Sequence, residues 1–424
     1  MSGLAYFLMQ MGFSVSGSDI TATALTARLE KEGAKIFIGH DASNLRDAQA
    51  VIVNSAIPQA NPELCEARRR GIPVYGRAEL LALVASCFDN TVGIAGCHGK
   101  TTATAMCAHI LEECSGSCSA HIGGEDFDYC NLYSGGDKFF VTEACEYMGN
   151  FLHLRPDVAV ILNTDADHLE CYGDAEQLGT AYRTYARGAK AAIVCGEDKI
   201  AKEVDCALTF GLTKECDVGA ENIRSMNGKY SFSLRIKGEI LDKIKLNVYG
   251  KHNIYNALAA AAVAEYYGYD ANLTVRGLQK FRGIRRRFEL LGELNGAQMI
   301  ADYAHHPREI AAALATAKEV CGGKLFVIFQ PHTYSRTRLL FDEFLQVLQS
   351  VENLVIYKTY AAREYFDAKG SALTLSESLP NSLYIESLRQ LQLYLQCSLK
   401  SGDVALFLGA GDIYFIAKRI LDDK

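Results

Sequence analysis

The chain has 424 residues, 49% of them apolar, enough to bury more than one core, so two or three domains are expected. A net charge of −7 argues against electrostatic capture of nucleic acid, although a local Arg285–Arg287 run exists, and no apolar run approaches membrane-spanning length. Fourteen cysteines are scattered from Cys65 to Cys397 with no C-x-x-C pair, which fits a reduced, cytoplasmic setting better than a disulfide framework; Cys114 and Cys118 lack the second pair that a zinc site would need.

Helical and extended patterns alternate along most of the chain, which favours an α/β architecture with parallel sheets covered by helices. Ser2–Met11 reads as a short helix, Ser14–Ser18 as a strand ending at Asp19, and Ala50–Asn54 as another strand. A doubly wound nucleotide fold normally opens with a strand and a glycine-rich turn, neither of which precedes the first helix here. Residues 1–89 are therefore expected to form a truncated Rossmann-like domain, ending at the polar break Cys87–Asn90.

A second domain, residues 90–292, opens with TVGIAGCHGKTT, Thr91–Thr102. An apolar strand runs into Gly96, His98, Gly99, Lys100, Thr101 and Thr102, and a helix follows with Ala103, Met106, Cys107, Ile110 and Leu111 on one face. Glycines let backbone N–H groups wrap a phosphate, a lysine neutralises its charge, and a threonine hydroxyl can meet Mg²⁺. Ile94 stands where the common form of this loop has its first glycine, so the loop is a shortened variant for a nucleoside triphosphate.

Phe139–Thr142 and Val158–Leu162 read as buried parallel strands that deliver polar residues at their C-terminal ends, where ligands bind in such sheets. After the first come Glu143 and Glu146, with Glu143 the stronger candidate to hold Mg²⁺. After the second, Asp165, Asp167, His168 and Glu170 form a candidate second cation site. Between Gly219 and Gly250 the period switches to two around Asn227-Gly228, predicting an antiparallel subsheet beside the mostly parallel one. A helix is expected from Asn253 to about Tyr267; Asn253 and Asn256 at its start can either cap it or meet the edge of an adenine.

Residues 293–424 restart as a third, Rossmann-like α/β domain with strands at Met299–Asp302, Leu325–Phe329, Leu354–Tyr357 and Val404–Leu408. Arg286 and Arg287 precede it, and DYAHHPRE (Asp302–Glu309) and QPHTYSRTR (Gln330–Arg338) place histidines and arginines at strand ends, a composition suited to an anion such as an amino-acid carboxylate.

Taken together these segments resemble the ATP-dependent Mur ligases. The similarity runs from Met1 to about Gly411 and rests on MSGLA, NSAIP from Asn54, GCHGKTT, the Glu143 segment, DADH, GKHNIYNALAA, RRFELLG, DYAHHPRE, QPHTYSRTR, YAARE from Tyr360 and LGAGDI from Leu408. The resemblance implies ligation of L-alanine to the carboxylate of UDP-N-acetylmuramate through an acyl phosphate, with ATP and Mg²⁺, in the cytoplasm and without nucleic-acid or membrane partners; it sets no oligomeric state. It implies that Lys100 and Thr101 serve the triphosphate and its metal and that Glu143 and His168 bind metal, with Lys100, Glu143, His168 and Arg336 the catalytic set. Asn253 and Asn256 would face adenine, Arg287 and Asp302 the phosphate and ribose, and His305, His306 and Arg336 the muramoyl and alanine end. Ser18, Asp19, Ser55 and the IGGE segment from Ile122 would hold the UDP sugar. A ligase that recycles preformed peptide, a folate-type ligase, a simple kinase, and a paralogue that binds nucleotide without turnover remain alternatives; the UDP-sugar segments disfavour the folate type, and Lys100, Glu143 and His168 disfavour the silent paralogue. Cys97, Asn150 and Thr333 depart from the residues usual in the family, as does the opening at Met1-Ser2, where the family usually has a strand and glycine loop.

Overall fold

The computed structural model describes residues 1–164 and 169–423. The chain forms two compact units, one of residues 1–221, 233–243 and 255–281, the other of residues 222–232, 244–254 and 282–424.

The first unit is organised around the strand Asn90–Ala95, which lies between Phe139–Glu143 and Val158–Ile161, parallel to both, with Gly93 opposite Thr142 on one side and Ala159 on the other. Strands covered on both faces read as continuous apolar runs, and Val92, Ile94, Ala95, Val141 and Val160 are all fully buried. Ala191–Cys195 and Leu208–Gly211 extend the sheet beyond Val158–Ile161, and the pair Cys118–Asp126 and Cys130–Ser134 extends it beyond Phe139–Glu143. No room exists for a side chain at Gly93, where a Cβ would strike Tyr185, Leu154 and Pro156.

The helix after the loop, Lys100–Ser115, departs from the one-sided burial expected of it: ten of its sixteen residues are buried, including Thr104, Ala108 and His109. The strands Cys118–Asp126 and Phe139–Glu143 pack on one side and the helix Ala271–Lys280 on the other, where a Cβ at Gly277 would collide with the backbone of His109 and Ile110. Backbone-to-backbone approach at a glycine leaves the helix no wet face along that stretch.

The shortened Rossmann-like region expected of residues 1–89 takes the form of two separate parallel ribbons, Ser16–Asp19 with Lys35–Ile38 and Val51–Val53 with Val74–Gly76. Its helix Ser2–Gln10 buries Leu4 and Phe7, the Phe7 ring lying 5.6 Å from Phe88, which stacks at 4.7 Å on Phe140 of the large sheet.

The period-two segment forms the strands Val218–Met226, Lys229–Ile236 and Glu239–Tyr249, and Asn227 and Gly228 both have positive φ, as a tight hairpin turn requires. Residues 222–232 and 244–254 belong to the second unit, where the Tyr230 hydroxyl donates to Glu319 at 2.8 Å and the Tyr249 ring lies 5.3 Å from Phe288. That unit carries a six-stranded sheet in the order Glu289–Leu294, Ala297–Asp302, Val404–Leu408, Leu325–Phe329, Asn353–Tyr357, Ser382–Ile385, antiparallel only at its first pair. Asp302 and Gln330 mark the carboxyl edge of adjacent parts of this sheet, where polar groups collect. Among the described residues no disulfide joins any cysteine, and no helix is long and apolar enough to cross a membrane.

Candidate active site

The loop between Ala95 and Lys100 turns at two glycines with positive φ, Gly96 at 140° and Gly99 at 85°. At Gly96 a Cβ would come within 3.0 to 3.2 Å of Leu162 and the Asn163 backbone, and at Gly99 it would collide with the Asn256 amide, so each glycine is required by conformation and by space. Gly99 caps a sixteen-residue helix whose first N–H groups have no partner within the helix and whose dipole favours an anion. Thr101, in its first turn, is buried, and Thr102 beside it is half-buried.

A residue not singled out from the sequence fixes this loop. Asn163, two positions past Val158–Ile161, accepts the His98 N–H at 2.9 Å and donates to the His98 carbonyl at 2.9 Å, while its own carbonyl accepts from Cys97 N–H at 3.3 Å. Lys100 turns back over the loop, donating to the carbonyls of Gly96 and Cys97 and to both carboxylate oxygens of Glu146 at 3.0 Å. Burial alone would pull this ammonium down, but Glu146, with Cys145 and Glu143, holds it above its ordinary value. Glu143 ends its strand and accepts the Gly123 N–H of the IGGE segment at 2.7 Å. The loop, Glu143, Glu146, Asn163 and Asn256 thus converge in the first unit; Asp165, Asp167 and His168 lie outside the described residues.

Residues expected to hold the UDP sugar are spread over the ribbons. The Ser18 hydroxyl sits 2.9 Å from His40 Nδ1 and donates to Glu63 at 3.0 Å, and Glu63 also accepts from Asn44 at 2.9 Å, a polar network at the end of the first ribbon. Asp19 accepts the Thr21 N–H at 3.1 Å, and Ser55 is exposed in a turn just after the first strand of the second ribbon, Val51–Val53.

In the second unit, Asn253 donates to the Tyr249 carbonyl at 2.7 Å, tying the helix start to the preceding strand. Asp302 accepts N–H groups from Phe288 at 2.8 Å and Ala304 at 2.7 Å; burial pushes its carboxyl up, against the pull of Arg287. Arg287 lies over the Tyr303 ring at 5.2 Å. His305 is 2.9 Å from the Tyr303 carbonyl and 3.3 Å from Glu309, and its ring lies 6.0 Å from that of His332, which is 3.3 Å from the Arg336 guanidinium. Burial lowers His305 despite Glu309, and lowers His332 to about 4 with His305 and Arg336 adding to the effect. Two arginines beside neutral imidazoles make a cluster suited to a carboxylate or phosphate. His306 instead caps the helix Pro307–Val320, accepting the Arg308 N–H at 3.4 Å.

Three family models cover the chain: "Mur ligase family, catalytic domain" matches residues 1–89, "Mur ligase middle domain" residues 94–264, and "Mur ligase, glutamate ligase domain" residues 286–411. The UDP-N-acetylmuramate–L-alanine ligase of Clostridium novyi is 39% identical over 437 residues, spanning 100% of this chain and 95% of that protein. The chain belongs to the Mur ligase family. The enzyme of the same name from Alkaliphilus metalliredigens is 36% identical over 441 residues, with 100% and 95% covered. The crystal structure of UDP-N-acetylmuramate–alanine ligase from Thermotoga maritima superposes with a TM-score of 0.87 at 30% identity, covering 100% of this chain and 96% of that one.

As a Mur ligase the chain is an ATP-dependent amide ligase. Two of its departures have a structural setting. Cys97 is buried with its sulfur 3.7 Å from the Tyr182 hydroxyl, at a position where the backbone N–H bonds to the Asn163 carbonyl. Thr333 adopts φ 66°, uncommon for a β-branched residue, held by its N–H to the Tyr360 carbonyl at 2.9 Å and by its capping of the helix Tyr334–Leu339. Nothing in the structure explains Asn150.

Proposed function

We propose that this Mur ligase joins L-alanine to the carboxylate of UDP-N-acetylmuramate in the cytoplasm, making the first amide bond of the peptidoglycan stem. The observation that carries this reading is the full-length likeness to UDP-N-acetylmuramate–L-alanine ligases, together with a strand, loop and helix whose two glycines and lysine suit a triphosphate. The sugar's carboxylate attacks the γ-phosphate of ATP, forming an acyl phosphate and ADP; the alanine amine then attacks the acyl carbon, and the tetrahedral intermediate collapses to the amide and inorganic phosphate.

The loop N–H groups and Lys100 oppose the phosphate charge. Thr101 and Glu143 offer a hydroxyl and a carboxylate, the hard oxygen donors that Mg²⁺ takes, and with His168 they would hold it. Bound there, Mg²⁺ would neutralise phosphate charge. Asn253 and Asn256 serve the adenine side, with Asn256 also bracing Gly99, and Arg287 and Asp302 the phosphate and ribose. His305, His306 and Arg336 address the muramoyl and alanine end, with His332 beside Arg336 and His306 also capping the helix Pro307–Val320. Ser18, Asp19 and Ser55 lie on the surface that takes the UDP sugar.

The experiment is phosphate release from ATP and Mg²⁺ with UDP-N-acetylmuramate, with and without L-alanine, and with a preformed peptide in its place. Release that requires both UDP-N-acetylmuramate and L-alanine, with the alanyl conjugate as product, is the expected outcome. Turnover with the peptide but not with alanine would replace this reading by the recycling one.

A further inference from the structure

An ammonium has three N–H donors, and four acceptors surround that of Lys100: the Gly96 and Cys97 carbonyls and both oxygens of Glu146. A phosphate oxygen that binds Lys100 must displace at least one of them. The two carbonyls belong to the loop that wraps the phosphate and move only with it. Glu146 sits on a different segment, three residues past the strand Phe139–Glu143, and its own carbonyl accepts from the Tyr172 hydroxyl. Of the three groups that supply these acceptors it is the one with a full charge, so an incoming anion is its like-for-like replacement at the ammonium. The pair is well enclosed: the Lys100 side chain is 15% exposed and that of Glu146 0%. An ion pair shielded from water is screened little, so the competition is felt in full.

We propose that Glu146 competes with the nucleotide's phosphates for the ammonium of Lys100, limiting how tightly nucleotide is held and helping ADP to leave. This rests on the phosphate-loop reading of Gly96–Thr102 and adds a positioning residue to it: Glu146 acts through Lys100, not on the reacting atoms.

The test is a cycle of variants, each checked by circular dichroism and thermal melting, with ADP affinity in Mg²⁺ read by calorimetry and with kcat and KM for ATP. Glu146→Gln keeps size and hydrogen bonding and removes the charge. ADP is expected to bind about tenfold tighter, a typical coupling between two sites, with KM for ATP and kcat both lowered as release slows. Glu146→Asp, which still offers Lys100 a counter-charge and so protects folding, should fall between wild type and Gln. In a Lys100→Met background, Glu146→Gln should change ADP affinity by less than about twofold, the scatter expected where no coupling remains.

Unchanged or weaker ADP binding in folded Glu146→Gln and Glu146→Asp overturns the proposal. So does equal tightening in the Lys100→Met background, which would mean general charge repulsion. Failure of the phosphate-loop reading looks different: Lys100→Met alone would then bind ADP and cleave ATP like wild type.

Discussion

Asn163→Ala isolates the clasp on the phosphate loop. The substitution removes both side-chain bonds to His98, each 2.9 Å, and leaves the backbone bond to Cys97 in place. At about 1 kcal/mol net per bond the loss is roughly 2 kcal/mol. If the clasp presets the loop, that loss falls on nucleotide binding, and at 1.4 kcal/mol per decade it weakens affinity by about 25- to 30-fold. ADP binding in Mg²⁺ by calorimetry, alongside a thermal melt, separates the loop from the fold. A folded variant whose affinity stays within about twofold of wild type would refute the idea that the clasp prepares the loop, and a melt lowered without change in affinity would make Asn163 a residue of stability alone.

Lys100→Met removes the cation opposite a wholly buried carboxylate, so ATP cleavage should vanish and stability should fall by about 3 kcal/mol. Adding Glu146→Gln should recover most of that stability and none of the cleavage; cleavage surviving Lys100→Met would contradict the assignment. Gly93→Ala drives a methyl into Tyr185, Leu154 and Pro156 and should cost about 2 kcal/mol in urea unfolding, whereas a neutral result would mean that the strand shifts freely. His332 is held at about 4 against an ordinary 6.5, so the unfolded chain binds its proton more readily than the folded one. Its contribution to stability is therefore full above about 6.5 and lost as pH falls towards about 4. The urea midpoint should fall across that window, and His332→Gln should flatten the fall; an unchanged slope would exclude His332 as the source.

The phosphate loop was legible because its signal is local: two glycines, a lysine and two threonines within seven residues, flanked by a strand and a helix. The antiparallel excursion was legible for the same reason, from alternation around Asn227-Gly228. Asn163 was not, since its partner His98 is 65 residues away and a lone asparagine at a strand end has no spacing to betray it. Glu143 stood out from the sequence, but the contact of Glu146 with Lys100 was equally hidden, since only the fold turns one carboxylate towards the IGGE segment and the other onto the ammonium. The all-round burial of Lys100–Ser115 depends on Gly277, which is distant in sequence and ordinary in isolation. His306 looked like its neighbour His305, yet local backbone geometry makes it a cap.

The second compact unit is assembled from three separated stretches of chain, and this bears on how the protein is made. Tyr230 leaves the ribosome 89 residues before Glu319, the partner of its hydroxyl, an interval of roughly 4–18 s at ordinary rates of synthesis. Through that interval the hairpins of residues 222–254 must wait with part of their apolar surface uncovered, a natural point for chaperone engagement. The same threading means that no single cut liberates the unit whole: a fragment beginning at Arg282 would lack Tyr230 and Tyr249, and with them the cover over Glu319 and Phe288.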